Sequence, residues 1–297
     1  VCEDAGQLLN VLFGNCSLQP EVELVDLDLP PALAQAFGGP NLGGEGLRRL
    51  TGVQGRPLTC TALKPVGATA GQMAALARTF AHAGIDVIKD DHGWANQRSA
   101  PFAQRVAACQ HEVSAANEKS GRRTLYAPSL YGTQAQMQRQ IELARSHGVA
   151  AFLLAPMVCG VATLSALKRE HPEVAFIAHP ALGGAARIAP PALLGKLFRL
   201  FGADAAIFPN HGGRFTYPAE VCQAIARHNR APWHGLRPTL PVPAGGMSVE
   251  RVPELKREYG ADSMLLIGGS LLIARERLAE RSRAFVEAVA AADEVAA

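Results

Sequence analysis

The sequence predicts an α/β protein folded as a (β/α)8 TIM barrel, and three features carry that expectation. From Pro57 onward, short apolar runs alternate with longer segments of helical period, the pattern of repeated βαβ units. The strand-then-helix units fit into roughly 235 residues, close to the size of a closed barrel. Polar, chemistry-bearing residues follow the apolar runs, as they do in a barrel whose function sits at the C-terminal ends of its strands. A doubly wound open sheet is the competing architecture. It usually carries a Gly-rich phosphate loop after its first strand, whereas here that strand ends in Lys64-Pro65.

In chain order, residues 1–50 read as an irregular linker and interface segment, and residues 51–297 as the catalytic barrel. Asp26-Leu27-Asp28-Leu29-Pro30-Pro31 and Gly38-Gly39-Pro40 are turn and breaker signals. Glu45 and Arg48 read as part of a short solvated helix. Strands are expected over 58–64, 86–89, 124–127, 150–154, 175–179, 205–208, 240–244 and 263–267. Helical segments are expected over 70–83, 102–119, 134–147, 162–170, 191–201, 218–228 and 249–259, with a helix-rich tail over 271–292. Trp94 and Trp233 read as packing residues.

Composition bounds the function. The chain has 297 residues, 48% hydrophobic and 19% charged, enough to bury a large core. A net charge of +3 with interspersed signs leaves no basic stripe for nucleic acid. No apolar run reaches the ~18 residues of a membrane span. Glu3 and Asp4 precede the first short apolar cluster, unlike a signal peptide. The six cysteines (Cys2, Cys16, Cys60, Cys109, Cys159 and Cys222) form no CxxC pair and read as reduced, mostly buried thiols of a cytosolic protein. The start at Val1 rather than Met suggests that an upstream segment is missing.

The chemistry concentrates after the strands. Gly84-Ile85-Asp86-Val87-Ile88-Lys89-Asp90-Asp91-His92-Gly93 runs a buried strand into oxygen and nitrogen donors suited to a divalent ion, Mg²⁺ or Mn²⁺ rather than structural zinc. A lysine beside a metal is anomalous unless burial lowers its pKa and its amine takes up CO₂, giving an anionic carbamate ligand. The plainer reading is Lys89 ion-paired to Asp90 or Asp91. Gly245-Gly246 and Gly268-Gly269 follow the seventh and eighth strands, where barrels often bind phosphate through backbone N–H groups; glycine also ends strands for steric reasons. His179 is either a core histidine or a functional one. His211 and Arg214, in Asn210-His211-Gly212-Gly213-Arg214, suit a mobile lid or an anion contact, or else a surface turn.

These residues resemble the large subunit of ribulose-1,5-bisphosphate carboxylase, and more closely the RuBisCO-like proteins that do not fix CO₂. The likeness covers nearly the whole chain: LLNVLFGN (8–15), DLDLPPALAQAFGGP (26–40), GRPLTCTALKP (55–65), AGIDVIKDDH (83–92), PVPAGGMSVERVPEL (241–255) and GADSMLLIGGS (260–270). It implies the family's C-terminal barrel, with the N-terminal α+β domain absent from this chain. It also implies a carbamylated Lys89, metal ligation by Lys89, Asp91 and His92, an active-site lysine at Lys64 and a histidine at His179. Gly245, Gly246, Gly268 and Gly269 match phosphate-binding backbone. Asn15 matches an asparagine presented across a dimer interface, so a homodimer or larger homo-oligomer is expected.

The departures are specific. His92 stands where carboxylases have glutamate, Val66 where they have a second lysine, and Ala244 where they have serine. The sixth loop, FPNHGGRFTYP, lacks the lysine that holds CO₂. Loss of both lysines argues against carboxylation, leaving Mg²⁺-stabilised enediolate chemistry on a phosphorylated keto sugar or keto acid. His211 and Arg214 favour a carboxylate-bearing substrate, hence decarboxylation of a phosphorylated 3-oxo acid of the 3-oxo-isoapionate-4-phosphate type. The alternatives are an isomerase or enolase of methylthioribulose-phosphate type, and a barrel that binds a sugar phosphate without turnover.

Overall fold

A computed structural model describes residues 4–292. Cys2 and the last five residues of the expected barrel lie outside the described residues. Eight parallel strands, β1 (Leu58–Leu63), β2 (Val87–Asp90), β3 (Leu125–Ala127), β4 (Ala151–Leu154), β5 (Ala175–Ala178), β6 (Ala205–Pro209), β7 (Leu240–Ala244) and β8 (Met264–Leu266), lie in the order β3-β2-β1-β8-β7-β6-β5-β4. The remaining seam is closed by a parallel bridge between Ser129 and Leu153, where Leu130 N donates to Leu153 O at 2.8 Å. The barrel read from the sequence is therefore the fold.

Strand alternation sorts the side chains. Leu58, Cys60, Val87, Leu153, Ile177 and Val242 fill the barrel interior, while Leu63, Ile88, Phe152 and Phe176 pack outward against the helices. Alanine at Ala127, Ala151, Ala175 and Ala205 keeps that interior narrow. The outer ring includes helices Ala70–Ala83, Phe102–Ser120, Gln134–Ser146, Val161–Glu170, Ala219–Arg230, Val252–Tyr259 and Leu278–Ala290. Each expected helix forms, but 191–201 begins as a π-helix, Pro191–Leu197. There a Cβ on Gly195 would lie 2.6 Å from His228 Cβ, so the close approach of helix Ala219–Arg230 requires glycine.

The first fifty residues are more ordered than expected. Helix Ala5–Phe13 is capped by Asp4, whose carboxylate accepts from Gln7 N at 2.7 Å. Helix Pro31–Phe37 starts on a proline, whose missing N–H costs nothing there. Helix Gly43–Thr51 covers the N-terminal end of the barrel, with Leu47 inside the core. Its first turn is held by Asp204 at the foot of β6, which accepts from Leu42 N at 2.7 Å and Gly43 N at 2.6 Å. The solvated-helix reading of Glu45 and Arg48 is corrected for Arg48. It is 6% exposed and donates to Arg56 O at 2.9 Å and to Ala261 O. Trp94 is buried as expected. Among the described residues, Cys60, Cys109 and Cys222 are buried, Cys159 is half-buried and Cys16 is exposed, all as free thiols. No helix is long and apolar enough to cross a membrane.

At the foot of β2, buried Asp86 accepts two bonds from Arg56 (2.8 and 3.0 Å) and one each from Thr59 N (2.7 Å) and Thr59 Oγ1 (2.9 Å). Removing it strands a largely buried guanidinium and a backbone donor. Asp86→Ala is expected to cost about 3 kcal/mol in chemical unfolding, with the mouth chemistry at the other end of the strand unaffected in the folded fraction.

Candidate active site at the barrel mouth

Strand parity builds the centre of the site. Lys89 and Asp91 are two residues apart and project to the interior side, while Asp90 between them projects outward. Lys89 pairs in register with Ala62, and a Cβ on Gly268 would come within 3.9 Å of Ala62 Cβ. Ala244 on β7 is in register with Leu266 on β8, and Ser270 Oγ donates to Met247 O at 2.9 Å. The second-strand cluster and both Gly-Gly junctions therefore share one end of the barrel.

Lys64, Lys89, Asp91, His92 and His179 come together there. Lys64 Nζ lies 3.5 Å from Asp91 Oδ2, and His92 Nδ1 lies 3.0 Å from Asp91 Oδ1. The His92 and His179 rings stack at 4.3 Å with 12° between planes. Lys89 is 3% exposed and its amine donates to a backbone carbonyl, Asp90 O, at 3.0 Å. Burial therefore dominates and pulls its pKa down, towards the neutral amine, despite the carboxylate of Asp91 nearby. Burial would raise the Asp91 carboxyl, but the His92 hydrogen bond and the charge of Lys64 outweigh it and hold Asp91 below the usual range. Burial pushes His179 down to about 2. Its Nδ1 accepts from Ala181 N at 3.1 Å, so the neutral ring carries its proton on Nε2.

The remaining predicted residues are placed differently. Gly245 and Gly246 adopt positive φ (84° and 64°), and Gly268 precedes the short helix Gly269–Leu272. His211 is turned to helix Val252–Tyr259, where its Nε2 lies 2.7 Å from Glu258 Oε2. Arg214 is exposed and stacks over Phe215 at 5.3 Å. Among the described residues neither bonds to the Lys89 cluster. Asn15 lies exposed on the turn Asn15–Leu18.

Several neighbours of the site escaped sequence reasoning. Asp90 pairs with Arg105 (3.0 Å) in full burial and accepts from Tyr126 OH (2.8 Å) and Ser129 N (3.0 Å). Tyr131 OH donates to His92 O, and Ser129 Oγ to Asp91 O at 3.1 Å. His211, Glu254 and Glu258 place an imidazole and two carboxylates within 4.8 Å, although Arg251 already grips Glu254 at 2.7 Å. The spacing of Glu254 and Glu258, one helical turn apart after a Gly-Gly junction, was the available signal.

Comparison with known proteins identifies the family. Residues 45–212 match the catalytic domain of the ribulose bisphosphate carboxylase large chain. The chain is 54% identical to a 5-methylthioribulose-1-phosphate isomerase of Rhodospirillum rubrum, over 97% of this chain and 78% of that protein. It is 32% identical to a 2,3-diketo-5-methylthiopentyl-1-phosphate enolase of Geobacillus thermodenitrificans, over 90% of this chain and 67% of that one. A solved Rubisco-like protein from Rhodopseudomonas palustris matches with a TM-score of 0.93 at 49% identity, covering 98% of this chain and 80% of that one. With the barrel and the matched catalytic-domain segment both in place, the chain belongs to the ribulose bisphosphate carboxylase large-chain family, among its RuBisCO-like proteins.

Proposed function

We propose that the chain is a metal-assisted isomerase or enolase acting on a phosphorylated ketose of methylthioribulose-phosphate type. The observation that carries this reading is the gathering of Lys64, Asp91, His92 and His179 around the buried amine of Lys89. The names of the isomerase and enolase relatives support it over the decarboxylase that His211 and Arg214 suggested, since both side chains are engaged elsewhere.

The residues fit a divalent ion. A carboxylate kept ionised, an imidazole 3.0 Å from it and a lysine held as a poor cation form a donor set that CO₂ uptake at Lys89 would complete. Lys89, Asp91 and His92 would hold Mg²⁺ or Mn²⁺, which when bound polarises the ketone and its neighbouring hydroxyl. A base then takes a proton from the carbon beside the ketone. The C–H pair becomes the new C=C bond, and the carbonyl π pair moves to oxygen. The oxyanion takes up a proton, the neighbouring hydroxyl gives up its own so that its O–H pair forms the new C=O, and the C=C pair takes a proton at the former ketone carbon, giving the isomer. The Lys64 ammonium, 3.5 Å from Asp91, is placed to face the developing oxyanion. His179 offers Nε2–H as a neutral donor to the same oxygen, not as the base. The base role falls to the Lys89 side chain. Gly245, Gly246, Gly268 and Gly269 receive the phosphate, while residues 1–50 present Asn15 to a second copy in a homodimer.

The test is to incubate the protein with Mg²⁺, bicarbonate and 5-methylthioribulose-1-phosphate in D₂O and follow it by NMR. A new phosphorylated isomer or enol product is expected. An unchanged methylthioribulose phosphate, with CO₂ released from a phosphorylated 3-oxo acid, would return the reading to a decarboxylase. If Lys89→Ala keeps ligand affinity and the parent exchanges no substrate proton, the barrel is a binding module.

A further inference from the structure

Arg251, just ahead of helix Val252–Tyr259, takes no part in the chemistry above, yet it ties together the two loops that frame the glycine cradle. Its Nη1 donates to Gly246 O at 2.9 Å, in the loop after β7, and to His211 O at 3.2 Å, in the loop after β6. Its Nε and Nη2 grip Glu254 at 3.1 and 2.7 Å, which fixes the plane of the guanidinium. Between the loops there is no room for side chains. A Cβ on Gly213 would lie 2.8 Å from Gly245 C, and one on Gly246 would lie 2.6 Å from Gly212 O. The loops thus meet backbone to backbone, and Arg251 spans the join.

In a trans peptide the N–H points opposite to the C=O. Drawing the Gly246 carbonyl towards Arg251 therefore turns the Met247 N–H to the other side of that peptide. Among the described residues, neither the Gly246 amide nor the Met247 amide donates to a protein acceptor. An unspent backbone donor at Met247, held in one orientation, suits an oxyanion whose affinity depends on its being set in advance.

We propose that Arg251 is a positioning residue for phosphate. Its bridge between the Gly246 and His211 carbonyls presets the Met247 amide, which shares a peptide plane with Gly246 O, while its own charge is committed to Glu254. This rests on the phosphate role proposed above for Gly245 and Gly246. The bridge needs a planar fork reaching two carbonyls and a carboxylate at once, which a lysine cannot supply.

The test measures inorganic phosphate binding to the full chain by calorimetry, alongside melting temperature, for the parent, Arg251→Gln, Arg251→Lys and Gly246→Ala. Both Arg251 variants should bind phosphate roughly tenfold more weakly, with melting temperatures close to the parent's. If Arg251→Lys binds like the parent, charge alone is at work and the positioning role is overturned. If Gly246→Ala weakens binding and both Arg251 variants do not, Arg251 is excluded while the cradle stands. If the parent does not bind phosphate, or Gly246→Ala binds it equally well, the cradle reading falls and takes this inference with it.

Discussion

Lys89→Met is expected to lower turnover at least about 10³-fold while leaving the melting temperature unchanged or higher. The first half follows from the proposed role: the side chain is both a metal ligand and the base, and neither function survives a thioether. The second half follows from burial. The Lys89 amine sits in the barrel interior, is 3% exposed and has a backbone carbonyl as its hydrogen-bond partner, so keeping a polar head there costs stability that methionine does not. Methionine also fills the volume of the aliphatic stem. Activity lost with stability kept is therefore the signature, read by NMR turnover and thermal unfolding of the same samples. Retention of more than a tenth of the parent's turnover would remove Lys89 from the chemistry and leave it a buried structural lysine.

How much of this was legible in the sequence depended on how local each signal was. Lys64, Lys89, Asp91 and His179 could be picked out as candidates because barrels place function at strand ends, and strand parity puts Lys89 and Asp91 on one side. Their convergence in one mouth follows from register, Ala62 against Lys89 and Ala244 against Leu266. The direction of His211 did not follow, because Glu258, which turns it, lies on a later helix. Arg48 misled for the same reason. Its acceptors include Ala261 O, more than two hundred residues on, so a charged helix that looked solvated is a plug. The opening segment was partly misread from local cues. Pro31 counts as a breaker in an irregular stretch but as an N1 residue once the turns after it are helical. Helix Gly43–Thr51 has no side-chain cap of its own, and Asp204 supplies that function from the foot of β6.

Arg105→Ala should be strongly destabilising, at about 3–5 kcal/mol or roughly 10 °C in melting temperature. Arg105 and Asp90 are both fully buried, 3.0 Å apart. Burial alone would lower the Arg105 pKa, but the Asp90 carboxylate overrides it and keeps the guanidinium charged. Arg105 also donates to Ala100 O at 2.8 Å and stacks over Trp94 at 5.3 Å and Phe102 at 5.4 Å. Burial already raises the Asp90 carboxyl against the pull of Arg105, so alanine would leave it either an uncompensated interior charge or a protonated acid deprived of its main partner, and would open a cavity beside two aromatic rings. Arg105→Lys should recover only part of the loss, since one ammonium cannot reproduce both polar contacts and the stacked plane. The effect should also reach the mouth. Ser129 donates its N–H to Asp90 and its Oγ to Asp91 O, so the same residue holds the outward and the inward aspartate. Folded Arg105→Lys is therefore expected to need roughly 10- to 100-fold more Mg²⁺ for half-maximal turnover. An Arg105→Ala protein melting within about 2 °C of the parent would mean that the pair contributes little. An Arg105→Lys protein with the parent's Mg²⁺ requirement would mean that Asp91 is positioned without it.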